Sequence, residues 1–481
     1  MVFAPRWDVS EKRFGVTVSY AFLGYFCTLN AYDMKVHFIA IGGSAMHNLA
    51  ISLKIKGYEV SGSDDEIFDP AASRLKKYGI FPDHTGWEPR CITPDLDAVI
   101  LGMHAREDNP ELAEAKRLGL KIYSYPEYIY EQSKGKTRIV VGGSHGKTTI
   151  TSMILHVMNR CGRDCDYMIG AQLQGFEVMT RLSEEAPCIV IEGDEYLTSA
   201  LDRRPKFHVY RPDVGIVSGI AWDHVNVFPT FENYVEQFRI FANLIPEKGT
   251  FIYCAEDENC CRVAETELRV KRKIGYRLPD FRVENGEYRI VWKGKTYPLQ
   301  VFGRHNLLNI CAAYHACAAV GVTDEAFFTA ISTFQGASNR LECLYKDADK
   351  ALYRDFAHSP SKLRATVSAL KEKDPSRHLV ACMELHTFSS LTESFLSQYA
   401  HTMDAADEAI VYFNPHAIAL KKLPPITESM VLAAFQRPDL KVFCDSKALF
   451  ELLKSQNWKD KNLLMMSSGN YDGMDVKKIF M

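Results

Sequence analysis

A glycine-rich stretch in the first third of the chain has the residue types that bind phosphate. Residues 142–149 read GGSHGKTT and lie between an apolar run and a segment with helical spacing. A strand, a glycine loop and a helix N-terminus together present backbone N–H groups to an anion. We therefore predict a nucleotide-binding loop, with Lys147 on the β and γ phosphates and the Thr148 hydroxyl on Mg²⁺.

This loop differs in one respect from the general P-loop pattern GxxxxGK[ST]. Val141 stands where that pattern has its first glycine, so the loop is one residue shorter. A glycine turn before a helix is the alternative interpretation, but the Gly-Lys-Thr sequence at the helix start favours phosphate binding. The residues predicted to surround the phosphates are Gly143, Ser144, His145, Gly146, Lys147, Thr148 and Thr149.

Acidic residues follow two further apolar runs. Glu192 comes directly after the run from Cys188 to Ile191, and Asp223 with His224 ends the segment VGIVSGIAWDH. In a parallel sheet such positions emerge at the carboxyl edge, where ligands bind. Carboxylates there suit Mg²⁺, which prefers oxygen ligands. A lone histidine is more commonly a packed side chain, so a ligand role for His224 competes with that alternative.

A second glycine turn lies close to Met34. It follows an apolar run, and an acidic residue comes about 20 residues later, which is the layout of a dinucleotide fold. The residues predicted to bind a nucleotide there are Gly42, Gly43, Ser44, Met46, Ser63 and Asp64. Taken alone, this pattern suggests NAD.

Alternating strand and helix patterns connect these motifs. From Lys35 onward, four runs predict a parallel doubly wound sheet that reaches about Glu131, namely VHFIAIGG, YEVSGSD, LDAVILG and KIYSYPEYI. The charged stretch SKGKTR from Ser133 is predicted to be a linker. Further strands are predicted in CIVIEGDE and VGIVSG and, beyond Ser338, in ALYRDFAH, HLVACMEL, EAIVYF and NLLMMSSG.

The whole pattern predicts an α/β protein of three domains, for which 481 residues are sufficient. We expect a Rossmann-like domain at residues 34–134, a central P-loop ATPase domain with a parallel sheet at 135–337, and a Rossmann-like C-terminal domain at 338–481. Residues 1–33 lack a clean basic start before their apolar stretch and are predicted to be an N-terminal extension. A signal peptide is the alternative.

Composition argues against two classes of partner. Apolar residues make up 47% of the chain, and no run approaches the roughly 20 apolar residues that a membrane span needs. The net charge of −3 gives no basic surface for nucleic acid. The 13 cysteines have no paired CxxC spacing and fit reduced thiols. We therefore expect a cytoplasmic protein that binds neither membrane nor nucleic acid.

The loop and the acidic motifs together resemble the Mur ligases, in particular their UDP-N-acetylmuramate-specific branch. GGSHGKTT is similar to that branch in its His145, EGDEY resembles the family's EADE motif, and Asp223-His224 resembles its DH pair. The resemblance implies ATP and Mg²⁺ as cofactors. It further implies that Glu192 and Thr148 bind Mg²⁺ and that His224 binds a second metal ion.

Three later motifs extend the resemblance toward the end of the chain. GRHNLLN is similar to the family's GxHNxxN segment, which implies that His305 and Asn306 reach the adenine of ATP. Arg340 resembles the family's phosphate-binding arginine between the second and third domains. DFAHSP resembles the family's DYAHxP motif and implies that Asp355 helps to hold the nucleotide, although Arg354 replaces the usual leading aspartate.

The resemblance implies an ATP-dependent ligase of peptidoglycan synthesis or recycling, with Lys147, His224 and Arg340 as catalytic residues. The glycine turn of the first domain would bind the UDP part of UDP-N-acetylmuramate. Its muramate carboxylate would become an acyl phosphate and then an amide. The stretch from Ser199 to Phe207 resembles members that attach L-Ala-γ-D-Glu-meso-diaminopimelate, so this tripeptide is the expected amine and L-alanine is the alternative.

Two alternatives of other classes stay open on the sequence alone. The first glycine turn would also suit an NAD-dependent oxidoreductase. Departures from the family pattern at His47, Ala221 and Arg354 would suit a non-catalytic ATP-binding protein. Ala40 and Asn48, like His47, stand where the family commonly has glycine. For the oligomeric state we expect a monomer or a weak homodimer.

Overall fold

The computed structural model describes residues 34–103, 105–170, 176–223, 227–284, 286–337 and 340–480. The predicted N-terminal extension and the predicted metal ligand His224 lie outside these ranges. The described residues form three main sheets with helices packed against them, and one small antiparallel sheet. The predicted α/β class is therefore confirmed.

The first sheet has four parallel strands in the order β2-β1-β3-β4. Its strands are β1 (Lys35–Ile39), β2 (Glu59–Ser63), β3 (Ala98–Leu101) and β4 (Ile122–Ser124). Its helices are α1 (Ser44–Ile55), α2 (Ala71–Lys77), α3 (Pro110–Arg117) and α4 (Tyr125–Ser133). Buried β-branched and aromatic residues of β1 lie at the centre of this sheet, as its continuous apolar run predicts.

The predicted strand KIYSYPEYI is wrong beyond Ser124. Ser124 caps the N-terminus of helix α4, because its hydroxyl accepts the N–H of Glu127 at 3.4 Å while the Glu127 carboxylate accepts the N–H of Ser124 at 2.9 Å. This reciprocal capping satisfies two backbone donors and competes successfully with the strand propensity of the tyrosines. The predicted linker is correspondingly shorter, since α4 ends at Ser133 and the next strand begins at Thr137.

The central sheet has seven strands in the order β11-β10-β9-β5-β8-β6-β7, of which β7 is antiparallel to its neighbour. They are β5 (Thr137–Gly142), β6 (Asp166–Met168), β7 (Thr180–Arg181), β8 (Cys188–Glu192), β9 (Val214–Val217), β10 (Thr250–Cys254) and β11 (Arg272–Tyr276). The small antiparallel sheet, which the sequence patterns did not predict, consists of β12 (Phe281–Glu284), β13 (Glu287–Trp292) and β14 (Lys295–Pro298).

Helices of the central part cover both faces of its sheet. They are α5 (Lys147–Arg160), α6 (Lys206–Val209), α7 (Phe231–Asn243), α8 (Glu258–Glu265), α9 (Arg304–Ala319) and α10 (Asp324–Ile331). Strand β5 lies between β8 and β9, and Val141 is in register with Glu192 and Ile216. The phosphate-loop sequence and the EGDEY segment therefore leave the sheet at the same edge.

The third sheet has six strands in the order β15-β16-β20-β17-β18-β19, with only β15 antiparallel. They are β15 (Glu342–Lys346), β16 (Lys350–Asp355), β17 (His378–Leu385), β18 (Glu408–Phe413), β19 (Lys441–Phe443) and β20 (Lys461–Met466). Its helices are α11 (Pro360–Lys373), α12 (Glu393–Leu396), α13 (Pro415–Leu420), α14 (Glu428–Phe435) and α15 (Ser446–Ser455). All four predicted strands of this region are confirmed. The predicted domain boundaries stay predictions.

The helices of the described residues are short relative to the thickness of a membrane. The longest helix of the described ranges is α9, with 16 residues. A transmembrane helix needs about 20 predominantly apolar residues. Among the residues that the structure describes, no helix is both long and apolar enough to cross a bilayer.

Helices α1 and α2 are joined to the central part by a polar network. The Asn48 side chain accepts the N–H of Met179 at 2.9 Å and donates to the carbonyl of Ser44 at 2.7 Å. Arg74 contacts the ring of His47 at 3.2 Å and also donates to the carbonyl of Glu177. Of the residues that depart from the family's glycine pattern, Asn48 thus binds the central part directly, and His47 contacts it through Arg74.

Asn48→Ala tests this link. The substitution removes the acceptor of the Met179 N–H, so we expect faster hydrogen exchange at that amide and a loss of about 1–3 kcal/mol of stability. Exchange measured by NMR or mass spectrometry, together with thermal unfolding, provides the readout. Lys54→Ala, an exposed change on the same helix, is the control. Unchanged protection at Met179 would show that Asn48 does not hold the two parts together.

Candidate functional site

Two glycines give the predicted phosphate loop its shape. Gly143 has φ 120° and Gly146 has φ 71°, both in the left-handed region that favours glycine. A Cβ at Gly143 would lie 2.4 Å from Ser218 Oγ, and one at Gly146 would lie 2.4 Å from Asn309 Oδ1. Helix α5 begins at the next residue, Lys147, so the predicted order of strand, loop and helix is confirmed.

The ammonium of Lys147 is held at the mouth of this loop. Its Nζ donates to Glu195 Oε2 at 2.6 Å and to the carbonyl of Gly143 at 2.9 Å. Glu195 is 1% exposed and also accepts the hydroxyl of Tyr234 at 3.1 Å. Burial alone would lower the pKa of Lys147, but the carboxylates of Glu195 and Asp194 outweigh it and the pKa is raised. Lys147 therefore carries its charge at neutral pH.

Thr148 and Glu192 bring together two oxygen atoms that could bind a metal ion. The Thr148 hydroxyl donates to Glu192 Oε1 at 2.6 Å, and Glu192 Oε2 accepts the N–H of Gly170 at 2.8 Å. The guanidinium of Arg340 lies 3.4 Å from Thr148 Oγ1. A hydroxyl and a carboxylate on one wall of a cavity are the ligands that Mg²⁺ takes beside phosphate oxygens and water. This donor set fits the predicted metal.

Helix α9 forms another wall of the same cavity. His305 and Asn306 lie in its first turn, and the Asn306 amide donates to the carbonyl of Phe302 at 2.9 Å. Burial lowers the pKa of His305 despite the nearby carboxylate of Asp355. The wall also includes the apolar side chains of Val301 and Phe302. A neutral imidazole, an amide and apolar surface suit a heterocyclic base better than a phosphate.

The start of the third sheet adds a further wall. Asp355 ends β16, is 7% exposed, and accepts the hydroxyl of Thr366 at 2.5 Å and the N–H of Leu341 at 3.2 Å. The guanidinium of Arg340 lies 4.4 Å from the centre of the Phe356 ring. Arg340 thus reaches both the third sheet and Thr148, which places it at the junction that the sequence predicted.

Two polar contacts close the third part over the central part. Ser361 Oγ, near the start of α11, lies 3.2 Å from His145 Nε2 of the phosphate loop. The hydroxyl of Ser389 donates to Asp223 Oδ1 at 3.4 Å. Burial, followed by the charges of Lys362 and Lys147, lowers the pKa of His145 to about 3. The imidazole of the loop is therefore neutral at physiological pH.

The predicted nucleotide residues converge on this single cavity. Those that line it are Ser144, His145, Gly146, Lys147, Thr148, Thr149, Glu192, His305, Asn306, Arg340 and Asp355. Gly143 supplies the carbonyl that binds Lys147. His224 lies outside the described residues, and its predicted role stays a prediction.

Sequence reasoning missed four titratable residues of the cavity. Glu195 and Asp223 lay inside motifs that were recognised, and their position after buried strands was a usable signal. Lys362 and His358 also line the cavity, but they belong to the third part. Burial, followed by the charge of Lys362, lowers the pKa of His358 to about 3. No local pattern marked Lys362.

The glycine turn of the first part is separate from this cavity. Its predicted residues lie around the carboxyl ends of β1 and β2, where Asp64 Oδ2 accepts the N–H of Gly42 at 2.7 Å. Burial raises the pKa of Asp64 to about 6. Ser63 is fully buried and donates its hydroxyl to Glu111. The six residues are Gly42, Gly43, Ser44, Met46, Ser63 and Asp64, and their ligand stays a prediction.

Two family models match the chain. The model described as "Mur ligase family, catalytic domain" matches residues 35–137. The model described as "Mur ligase middle domain" matches residues 141–317. Together they cover both the glycine turn of the first part and the phosphate loop.

Named relatives and solved structures are similar over much greater lengths. A UDP-N-acetylmuramate–L-alanine ligase from Arthrobacter sp. (strain FB24) is 32% identical over 387 residues, which are 78% of this chain and 80% of the relative. The UDP-N-acetylmuramate:L-alanyl-γ-D-glutamyl-meso-diaminopimelate ligase from Neisseria meningitides is 27% identical with a TM-score of 0.57, covering 63% of this chain and 98% of that one. The UDP-N-acetylmuramate–alanine ligase from Thermotoga maritima shares the fold, with 21% identity, a TM-score of 0.67, and coverage of 92% and 97%.

The neutral state of His145 predicts a dependence of stability on pH. Its imidazole stays unprotonated in the folded protein down to about pH 3, whereas in the unfolded chain it takes up a proton near pH 6.5. Stability should therefore fall as pH decreases below 6.5. We expect His145→Gln to reduce this loss by about 2 kcal/mol at pH 5, with little difference above pH 7.5. Urea unfolding of both proteins at several pH values measures this difference in stability. If the stability of the two proteins changed with pH in the same way, the buried neutral state of His145 would be contradicted.

Proposed function

The chain belongs to the Mur ligase family, whose members are ATP-dependent amide ligases, and we propose that it joins an amino group to the carboxylate of UDP-N-acetylmuramate. The observation that carries this proposal is the cavity around Lys147, where a phosphate loop, an oxygen pair and residues of the third part face one another. The family model over residues 35–137 argues against a separate NAD-dependent oxidoreductase.

The first step of the proposed reaction transfers a phosphoryl group. A carboxylate oxygen of the muramate attacks the γ-phosphorus of ATP, the bond to the bridging oxygen breaks, and ADP leaves. Charge develops on the transferring group, so fixed cations lower the barrier. Lys147 and Arg340 supply those charges, and the backbone N–H groups of the loop around Gly146 hold the β-phosphate in place.

Amide formation follows from the acyl phosphate. The amine nitrogen attacks the acyl carbon, the bond from carbon to the phosphate oxygen breaks, and inorganic phosphate leaves as the nitrogen loses a proton. The contacts from Ser361 to His145 and from Ser389 to Asp223 hold the third part over the cavity. This closure keeps water from an intermediate that would otherwise hydrolyse.

Mg²⁺ would be held by Thr148 and Glu192, with His224 proposed for a second ion. When bound, the metal ion neutralises negative charge on the phosphate oxygens. The 2.6 Å contact between Thr148 Oγ1 and Glu192 Oε1 supports this assignment, because a cation would bind both oxygens where a proton now lies between them.

The UDP part of the substrate is proposed to lie at the glycine turn of the first part. Gly42 and Gly43 precede the N-terminus of α1, where anions are favoured. The carboxyl group of Asp64 stands beside this turn. A substrate that extends from this turn to the central cavity would bring its carboxylate to Lys147 while its nucleotide stays on the first part.

The amine is proposed to be the tripeptide L-Ala-γ-D-Glu-meso-diaminopimelate. The similarity to the Neisseria meningitides ligase, over nearly that whole chain, supports it. L-Alanine is the second candidate, supported by the name of the Arthrobacter relative. Basic residues near the 199–207 segment offer no support, because Arg204 binds Asp202 and Lys206 binds Asp194. We place the reaction in the cytoplasm, where ATP is available, and the oligomeric state stays a prediction.

Phosphate release with defined substrates tests the function. We expect turnover of ATP only when UDP-N-acetylmuramate and the amine are both present, with a kcat/KM for the tripeptide at least about tenfold above that for L-alanine. Coupled detection of phosphate and mass spectrometry of the product provide the measurement. Turnover of ATP with L-alanine but not with the tripeptide would overturn the tripeptide assignment. A complete absence of muramate-dependent phosphate release would support a non-catalytic ATP-binding protein.

Lys147→Ala tests the cavity itself. Loss of the ammonium should reduce phosphate release by about 100-fold or more, because charge on the transferring group is no longer neutralised. Since the change leaves Glu195 without its partner, Lys147→Ala combined with Glu195→Gln keeps the charge balance and should stay inactive. Lys116→Ala, an exposed change on α3, is the control. Retained activity in a folded Lys147→Ala protein would refute the assigned role.

A further inference from the structure

Lys362 brings a third cation to the cavity from the opposite side. It lies in the first turn of α11, on the third part of the chain, and lines the same cavity as Lys147 and Arg340. The preceding residue, Ser361, contacts His145 of the phosphate loop at 3.2 Å. The start of α11 is therefore in direct contact with the loop that is proposed to bind phosphate.

The charge of Lys362 is poorly balanced by the protein. Burial, and then the positive charge of Lys147, lower its pKa to about 8, while Asp223 and Glu195 offset this only in part. Lys147 has an ion pair with Glu195, but within the described ranges Lys362 has no such ion pair. Two ammonium groups thus face one cavity, and an anion between them would relieve their repulsion.

We infer that Lys362 binds the terminal phosphoryl group of the nucleotide, so that the third part closes over a triphosphate in preference to a diphosphate. This inference rests on the proposed function, because it assumes a phosphorylated nucleotide in the loop. The γ-phosphate is held by Lys147 from the central part and by Lys362 from the third part. After transfer, the same lysine faces the acyl phosphate.

The position of Lys362 favours phosphate over the incoming amine as its partner. The reacting amino group arrives as an ammonium ion and would add positive charge beside Lys362, Lys147 and Arg340, so only the carboxylates of the amine substrate compete with phosphate for Lys362. A phosphoryl group instead brings negative charge to these cations, and the first turn of a helix is the end at which anions are stabilised. An anion at this point therefore stabilises the cavity, and a cation destabilises it.

Nucleotide binding to Lys362→Met separates this role from a structural one. We expect the Kd of a non-hydrolysable ATP analogue, measured by calorimetry with Mg²⁺, to rise by about tenfold, the effect of one lost charge-assisted hydrogen bond. The Kd of ADP should stay within about twofold, because ADP lacks the phosphate that Lys362 binds. Lys362→Arg keeps the charge and should restore most of the preference for the triphosphate.

A matched control lies two residues further along the same helix. Arg364→Gln removes one positive charge from the exposed side of α11 and should leave both affinities unchanged. Equal weakening of ADP and the analogue, or unchanged affinity for both while amine-dependent turnover falls, would overturn the inference. Failure of the unmodified protein to bind either nucleotide would instead refute the proposed function, so the two failures are distinguishable.

Discussion

The buried ion pair between Lys147 and Glu195 is the interaction on which the arrangement of the cavity depends. Their contact of 2.6 Å balances the charge of a lysine that burial alone would neutralise. Removing one member of such a pair typically costs about 3–5 kcal/mol, because the remaining charge is buried without a partner. Glu195 thereby keeps Lys147 charged and oriented at the loop. The free energy that is needed to position the Lys147 ammonium is therefore supplied by folding, before any nucleotide binds.

The two junctions between the parts of the chain differ in chemistry. Asn48 and Arg74 bind backbone groups of the segment 177–179 and fix the first part to the central part. Between the third and the central parts, single hydroxyl contacts from Ser361 and Ser389 accompany the packing of Phe302 against Tyr353 and Lys373. Hydroxyl contacts of this kind exchange readily with water. Such contacts can be broken and remade, as the proposed closure of the third part over the cavity requires.

Four of the five departures from the family pattern have local physical explanations. Ala40 adopts φ 69°, a left-handed backbone that costs about 1–2 kcal/mol for a residue other than glycine. Its amide donates to the carbonyl of Ser63, so the turn keeps its shape without glycine. His47 and Asn48 have become part of the link to the central part. Arg354 pairs with Glu342 on the neighbouring strand, and Asp355 remains at the cavity.

The sequence by itself determined the features that depend on short stretches of chain. The glycines, Lys147 and Thr148 of the loop, the strand that ends at Glu192, and most strands of the three main sheets follow from local residue patterns and were predicted. Six strands of these sheets were not predicted, namely β6, β7, β10, β11, β15 and β19. The helix at 125–133 shows how one capping interaction overrides strand propensity. Only the tertiary structure decided that Glu195 would pair with Lys147, that Asn48 would join two parts, and that Lys362 would face the phosphate loop. Lys147 and Glu195 are 48 residues apart in the sequence, and Asn48 and Met179 are 131 residues apart. No local residue pattern indicates a contact over such separations, because the contact forms only when the chain folds.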